Sequence, residues 1–198
     1  MRGAPFDSIS FVLTSRFSDA LVYTADVHAG QRRKGGDVPY LAHLLGVTAL
    51  VLEDGGSEDE AIAALLHDAL EDRGDRTSFE EIRDRFGERV AGIVRACSDT
   101  EVRPKPPWDQ RKRAYLERLE TEPPDVLRVS VADKLYNAGA ILFDHKLVGD
   151  QVWERFGSGR PSQMWYYRSV ADLFLRRYPG AMADELDQAV RELEALEG

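Results

Sequence analysis

From Ser18 to the last residue, apolar side chains recur every three or four positions, and no segment alternates with a period of two. That spacing belongs to helices that bury one face. It predicts an all-α chain, with helices over 18–31, 40–54, 57–72, 77–87, 88–98, 110–120, 123–146 and 162–179, and a last one from 181 onward. Two of the starts carry capping boxes, Ser57 with Glu60 and Thr77 with Glu80, and Gly87 ends the helix that the second one opens. Gly and Pro in "RRKGGDVPY", and three prolines between Arg103 and Trp108, mark the long breaks: "DTEVRPKPPWDQ" reads as a Pro-rich loop, and "GDQVWERFGSGRP" as a loop or short helix. A chain of 198 residues suits one domain with a real core. The expected division is an N-terminal extension over 1–17, a bundle of about eight or nine helices over 18–179, and an amphipathic terminal helix over 180–198 that can pack on the same domain or in a homodimer.

Charge narrows the function. The net charge is −9 and the pI about 5, which argues against nucleic acid as a partner, since such binding needs a basic surface. An anionic small molecule would have to be held by specific residues or by a metal. No run of eighteen apolar residues is present, so no membrane partner is expected. The single cysteine, Cys97, has no partner for an internal disulfide, and the first residues lack an apolar signal region. A cytoplasmic protein is the expectation.

Three of the predicted helices carry polar groups inside apolar runs: His43 in the second, the adjacent pair His67-Asp68 in "AALLHDALED", and Asp133 in "RVSVADKLYNAGAI". Two imidazoles and two carboxylates suit a divalent ion such as Mn²⁺, Fe²⁺ or Zn²⁺. Four protein ligands around an octahedral ion leave positions for water and substrate, and a coordinated water becomes a nucleophile near neutral pH. On a continuous helix His67 and Asp68 differ by about 100° and can reach one point. Glu71 and Asp72 lie one turn beyond them, where a carboxylate can orient or deprotonate a water. Asn137, four residues after Asp133, should share its face. The alternative for these groups is a set of hydrogen-bonded core residues with no ion.

The ordered combination resembles the HD-domain phosphohydrolases, and more narrowly the hydrolase domain of RelA/SpoT-type alarmone enzymes. The resembling pieces are "ALVYTADVHAGQRRKGGDVPYLAH", "AALLHDALEDRGDRTSFEEIRDRFGERVAGIV" and "RVSVADKLYNAGAI", across about three fifths of the chain. The resemblance implies a single HD-domain helical bundle with His43, His67, Asp68 and Asp133 as ligands, usually to Mn²⁺. It implies that Glu71 and Asp72 activate water, that Arg33 and Lys34 line the nucleotide pocket, and that Asn137 contacts substrate. The implied reaction is hydrolysis of guanosine 3′,5′-bis(diphosphate) at its 3′ end to GDP and pyrophosphate, by a stand-alone small hydrolase. The sequence departs from the family pattern at Arg73, Lys134 and Tyr136, and matches poorly over 99–110 and beyond about 145.

Other residues have competing readings. His28 is read as a packing or hydrogen-bonding residue rather than a fifth ligand, His145 as a surface histidine, and Cys97 as a small buried apolar residue. The basic run Arg103, Lys105, Arg111, Lys112 and Arg113 either gathers phosphates or forms a solvated face with pairs such as Arg113–Glu117. "WYYR" (165–168) is read as core packing before base stacking. Alternative functions are the same chemistry on an adenosine analogue, the 2′-phosphate of NADPH or a nucleoside monophosphate, a nucleotide sensor without turnover, and a structural helical domain. The last leaves costly buried carboxylates unexplained.

Overall fold

The computed structural model describes residues 12–100, 102 and 104–196. Among them there is no strand, only an isolated antiparallel bridge between Arg32 and Pro39. Helix α1 (Ser15–Val27) starts before Ser18 because Thr14 caps it, its hydroxyl accepting from the Arg16 N–H. It stops at Val27 and leaves 28–40 as loop. Next come α2 (Leu41–Glu53), α3 (Glu58–Leu66) and the single turn α4 (Ala69–Asp72). They are followed by α5 (Phe79–Phe86), α6 (Glu88–Cys97) and α7 (Trp108–Leu119). The long α8 (Pro124–Val148) leads through a 3₁₀ turn (Gly149–Arg155) to α9 (Gly159–Arg177) and α10 (Ala181–Ala195). The all-α class holds.

Both halves of the Ser57–Glu60 capping box are made. The second expected box is displaced by one residue. Ser78 caps α5 by accepting from the Glu81 N–H, because the Thr77 hydroxyl lies buried against the Tyr23 hydroxyl at 2.7 Å.

Every residue of α3 from Ala61 to Leu66 is fully buried, as suits a helix that is apolar all round. It runs through the middle of the bundle, with α1, α2, α6 and α8 packed on it. Helix α8 is a second spine, in contact with α2, α3, α6 and α10. Helix α10 buries Leu186, Val190 and Leu193 and packs on α8 and α9 of its own chain. No helix among the described residues is long and apolar enough to cross a membrane.

The helix expected over 57–72 does not run through. At the point where a continuing helix would pair the Ala64 carbonyl with the Asp68 N–H, the His67 ring takes that carbonyl, Nδ1 to oxygen 2.8 Å. Helix α3 ends at Leu66, and Asp68 sits at φ −98°, ψ −2°, in the sparsely populated bridge region. The chain turns on the very dipeptide that carries two of the polar groups.

One ion-pair network ties the helices together behind the core. Arg128 of α8 donates to Asp54 at 2.9 Å and to the nearly buried Glu60 at 2.5 Å, and the Tyr178 hydroxyl donates to the same Asp54 oxygen at 2.6 Å. Removing one partner of such a group strands a buried charge, at about 3 kcal/mol. Arg128→Met should therefore lower the melting temperature by roughly 10 °C in a thermal unfolding scan. An unchanged melting temperature would show that the network adds nothing to stability.

Candidate functional site

Helix α2 supplies His43, the turn between α3 and α4 supplies His67 and Asp68, and α8 supplies Asp133. Their ligand atoms converge. His43 Nε2 and His67 Nε2 are 3.3 Å apart. Asp68 Oδ2 lies 3.5 and 3.1 Å from these two nitrogens, and Asp133 Oδ1 lies 3.3 and 3.6 Å from them. Because His67 Nδ1 donates to the Ala64 carbonyl, Nε2 is the nitrogen turned toward the cluster. His43 is held by packing instead. The Tyr136 and Tyr40 rings lie at 5.1 and 5.5 Å from it, while its buried Nδ1 has no hydrogen-bond partner.

Electrostatics show what the cluster wants. Burial alone would lower the His67 imidazole, but Asp68 and Asp133 outweigh it and hold it well above its usual value. Burial alone would raise Asp133, but Lys134 and the two imidazoles keep it well below the carboxylate range. Asp68 is likewise kept low, mainly by His67. The cavity between these atoms thus demands positive charge. His43, His67 and Asp133 form a group that can hold a metal ion, and Asp68 Oδ2 faces the same point. Two facing imidazole nitrogens with carboxylate oxygens between them fit a divalent cation, with the far nitrogen of His67 fixed by a carbonyl as metal-bound histidines usually are.

A ring of outer contacts orients the carboxylates. The Tyr40 hydroxyl donates to Asp68 Oδ2 at 2.5 Å, and Lys134 pairs with Asp133 Oδ2. Asn137 donates to Asp133 Oδ1 at 2.5 Å and accepts from Arg33 at 2.9 Å, with the Arg33 guanidinium over the Tyr136 ring. The i, i+4 spacing thus puts Asn137 on the face of Asp133 as expected, and here its amide is engaged at both ends. Tyr136 reaches His43 only because α2 carries Gly46. A methyl group there would overlap the Tyr136 ring.

Glu71 and Asp72 stand on α4 at the wall of the same pocket, in different surroundings. Glu71 accepts from Lys105 at 2.7 Å and from the Asp99 N–H at 2.9 Å. Asp72 accepts from the Gln31 amide at 3.0 Å. Burial, then the charges of Asp68 and Glu71, push the Asp72 carboxyl above its usual value. Those surroundings make the ionised Asp72 carboxylate a better proton acceptor than an ordinary aspartate.

The pocket over the cluster has a volume of about 730 Å³. Its lining includes eight Lys and Arg side chains against six Asp and Glu, inside a chain of net charge −9. Positive charge is gathered where an anion would enter. Arg33 and Lys34 come from the 28–40 loop. Lys105, Arg111 and Lys112 come from α7 and the segment before it. The basic run is thus divided: those three face the pocket, Arg113 lies over the Trp165 ring, and Arg103 is outside the described residues. Asp99, which carried no expected role, pairs with both Arg111 and Lys112.

"WYYR" is divided too. Tyr166 and Tyr167 are buried and line the pocket, Trp165 packs against Trp108, and Arg168 pairs with Asp187. His28 is buried and bonded to Gln31. His145 pairs with Asp150 at 3.3 Å and does not line the pocket. Cys97 is half-buried rather than buried, lines the pocket, and is kept a thiol by burial, which pushes it up to about 11. Tyr40, Gln31 and Asp99 are the contacts that sequence reasoning missed. The first two lay in a resembling segment, and nothing but folding shows what they touch.

Comparison with known proteins completes the picture. A family model described as HD domain matches residues 20–152. The guanosine-3′,5′-bis(diphosphate) 3′-pyrophosphohydrolase MESH1 of Xenopus tropicalis is 40% identical over 122 residues, 60% of this chain and 65% of that protein. The Homo sapiens MESH1 is 35% identical over the same shares, so the match spans just under two thirds of these relatives. The guanosine-3′,5′-bis(diphosphate) 3′-pyrophosphohydrolase of Aquifex aeolicus is 36% identical over 119 residues, 60% of this chain and 16% of that one. A solved structure described as a metazoan ortholog of SpoT that hydrolyzes ppGpp superposes with a TM-score of 0.75 at 27% identity, covering 93% of this chain and 98% of that one.

Proposed function

The chain belongs to the HD domain family, and on that footing we propose that it hydrolyses guanosine 3′,5′-bis(diphosphate) at its 3′ end, releasing GDP and pyrophosphate. The observation that carries the reading is the convergence of His43, His67, Asp68 and Asp133 at a pocket whose walls collect cations. The activity for which relatives at 35–40% identity are named supports it.

In this reading the four residues hold one Mn²⁺, an ion suited to mixed imidazole and carboxylate donors. When bound, such an ion supplies Lewis-acid polarisation of a phosphoryl oxygen and acidifies water. Asp72 takes the proton of the attacking water. Glu71, pinned between Lys105 and the Asp99 N–H, orients that water. Water oxygen adds to the phosphorus attached to O3′, the P–O3′ bond breaks, and O3′ leaves with a proton as the hydroxyl of GDP. Arg33 and Lys34 hold the nucleotide, and Asn137 meets the ribose or its phosphate from its place beside Asp133. Lys105, Arg111 and Lys112 absorb the charge that develops on the oxygens of the diphosphate under attack. The catalytic unit is read as 18–179, with the terminal helix packed on it, working in the cytoplasm.

The test is a turnover panel. Protein stripped of metal and reloaded with Mn²⁺ is offered guanosine and adenosine 3′-diphosphate nucleotides, NADPH and nucleoside monophosphates, with products separated by ion exchange. Pyrophosphate from the guanosine nucleotide, absent without metal, is the expected result. Phosphate release from NADPH or a monophosphate alone would replace the alarmone reading with another phosphohydrolase. No turnover of any member by metal-loaded protein would leave a sensor.

A further inference from the structure

The 28–40 loop carries two side chains that the mechanism above does not use, His28 and Gln31. The loop is closed on itself by backbone bonds from Gln31 N–H to the His28 carbonyl and from Tyr40 N–H to the Gln31 carbonyl, both 3.0 Å. His28 is 3% exposed and lies flat against the Tyr40 ring, 5.5 Å between centroids. Its Nδ1 is 2.7 Å from Gln31 Oε1, and Gln31 Nε2 is 3.0 Å from Asp72 Oδ2.

These contacts fix one another's polarity. An ionised carboxylate can only accept, so Gln31 must present its NH₂ to Asp72 and its carbonyl oxygen to His28. His28 Nδ1 must then carry the hydrogen, which leaves Nε2 as the bare nitrogen. That nitrogen is buried and has no partner, so nothing else in the surroundings selects the tautomer. Burial keeps the ring neutral by lowering its pKa. The amide is held at both ends and cannot turn over without breaking both bonds.

We propose that Gln31 is a positioning residue for Asp72, and that His28 acts through it by keeping the amide the right way round. The bond occupies Asp72 Oδ2 and fixes the plane of the carboxylate, so that proton acceptance falls to Oδ1. The same loop grips the neighbouring carboxylate, since Tyr40 donates to Asp68. One loop thus sets the spacing between the water-activating acid and the metal cluster. The inference rests on Asp72 being the proton acceptor. Geometric slack of about 1 Å at such a group costs on the order of a hundredfold in rate.

The experiment uses the full chain loaded with Mn²⁺ and guanosine 3′,5′-bis(diphosphate) as substrate. Gln31→Met keeps length and removes both hydrogen bonds. It should lower kcat by about 10- to 100-fold with KM, metal content and melting temperature unchanged. His28→Ala should fall in the same range, and His28→Asn, whose amide nitrogen overlays Nδ1, should recover most of the rate. Nitrogen-15 spectra of the imidazoles should show His28 as the Nδ1–H tautomer in the native protein and lose that preference in Gln31→Met. Wild-type kcat in Gln31→Met overturns the inference. So does a loss explained by missing metal or a lowered melting temperature, since either makes the role structural. Asp72→Asn separates the two levels. If it is slow while Gln31→Met is fast, only this inference falls, and if it keeps full rate, the proton-acceptor reading falls and takes this one with it.

Discussion

Asp68→Ala protein should purify without a firmly held divalent ion and hydrolyse guanosine 3′,5′-bis(diphosphate) at under about a thousandth of the native rate. Asp68 Oδ2 faces both imidazole nitrogens, at 3.1 and 3.5 Å, so its removal takes an anion from a group of four. Loss of even an outer contact to a ligand typically costs 10- to 100-fold in affinity, and loss of a ligand should cost at least about that much. The bundle should survive. The side chain of Asp68 projects from a turn, not from the core, and its φ of −98° suits alanine. Metal content by mass spectrometry, thermal unfolding and ion-exchange product analysis together decide the matter. A variant with native metal content and native rate would remove Asp68 from the centre.

The second large effect separates chemistry from metal binding. Asp72→Asn should keep the ion, keep KM within about twofold, and lose about 10²- to 10⁴-fold in kcat, the usual worth of a general base. The amide is isosteric and can still meet Gln31, but it has no basic oxygen of comparable strength. Glu71→Ala should also keep metal and lose rate, for a different reason. It frees Lys105 and the Asp99 N–H, so the wall of the pocket loosens and KM rises as well. Full activity in Glu71→Ala would end its role in orienting water, and full activity in Asp72→Asn would end the assignment of the base.

What could be read in advance divides along a physical line. His43, His67, Asp68 and Asp133 stood out because burying ionisable groups in apolar helices is costly without a reason. Helical spacing then placed Asn137 beside Asp133, and the contact is there at 2.5 Å. Those arguments use only distances along a helix. Tyr40, Gln31 and Asp99 escaped because their partners lie across loops, where spacing along the chain says nothing. The break at His67 escaped for a subtler reason. A side chain outcompetes a backbone N–H for one carbonyl, and periodicity has no term for that contest. The cap of α5 went to Ser78 because Tyr23, far away in the chain, had already engaged Thr77. Both hydroxyls were competent caps, and tertiary packing chose between them.

Five of the eight cations that line the pocket do not wait bare. Lys105 rests on Glu71, Arg111 and Lys112 on Asp99, Lys134 on Asp133, and Arg155 on Asp144. The protein therefore brings its own counter-ions into the pocket, and an incoming anion must win an exchange. A carboxylate or a chloride offers nothing better than what it would displace, whereas a polyphosphate offers several charges on one rigid group. Selection among cellular anions is then a competition that the resident acids referee, and the pocket can be rich in positive charge without being sticky.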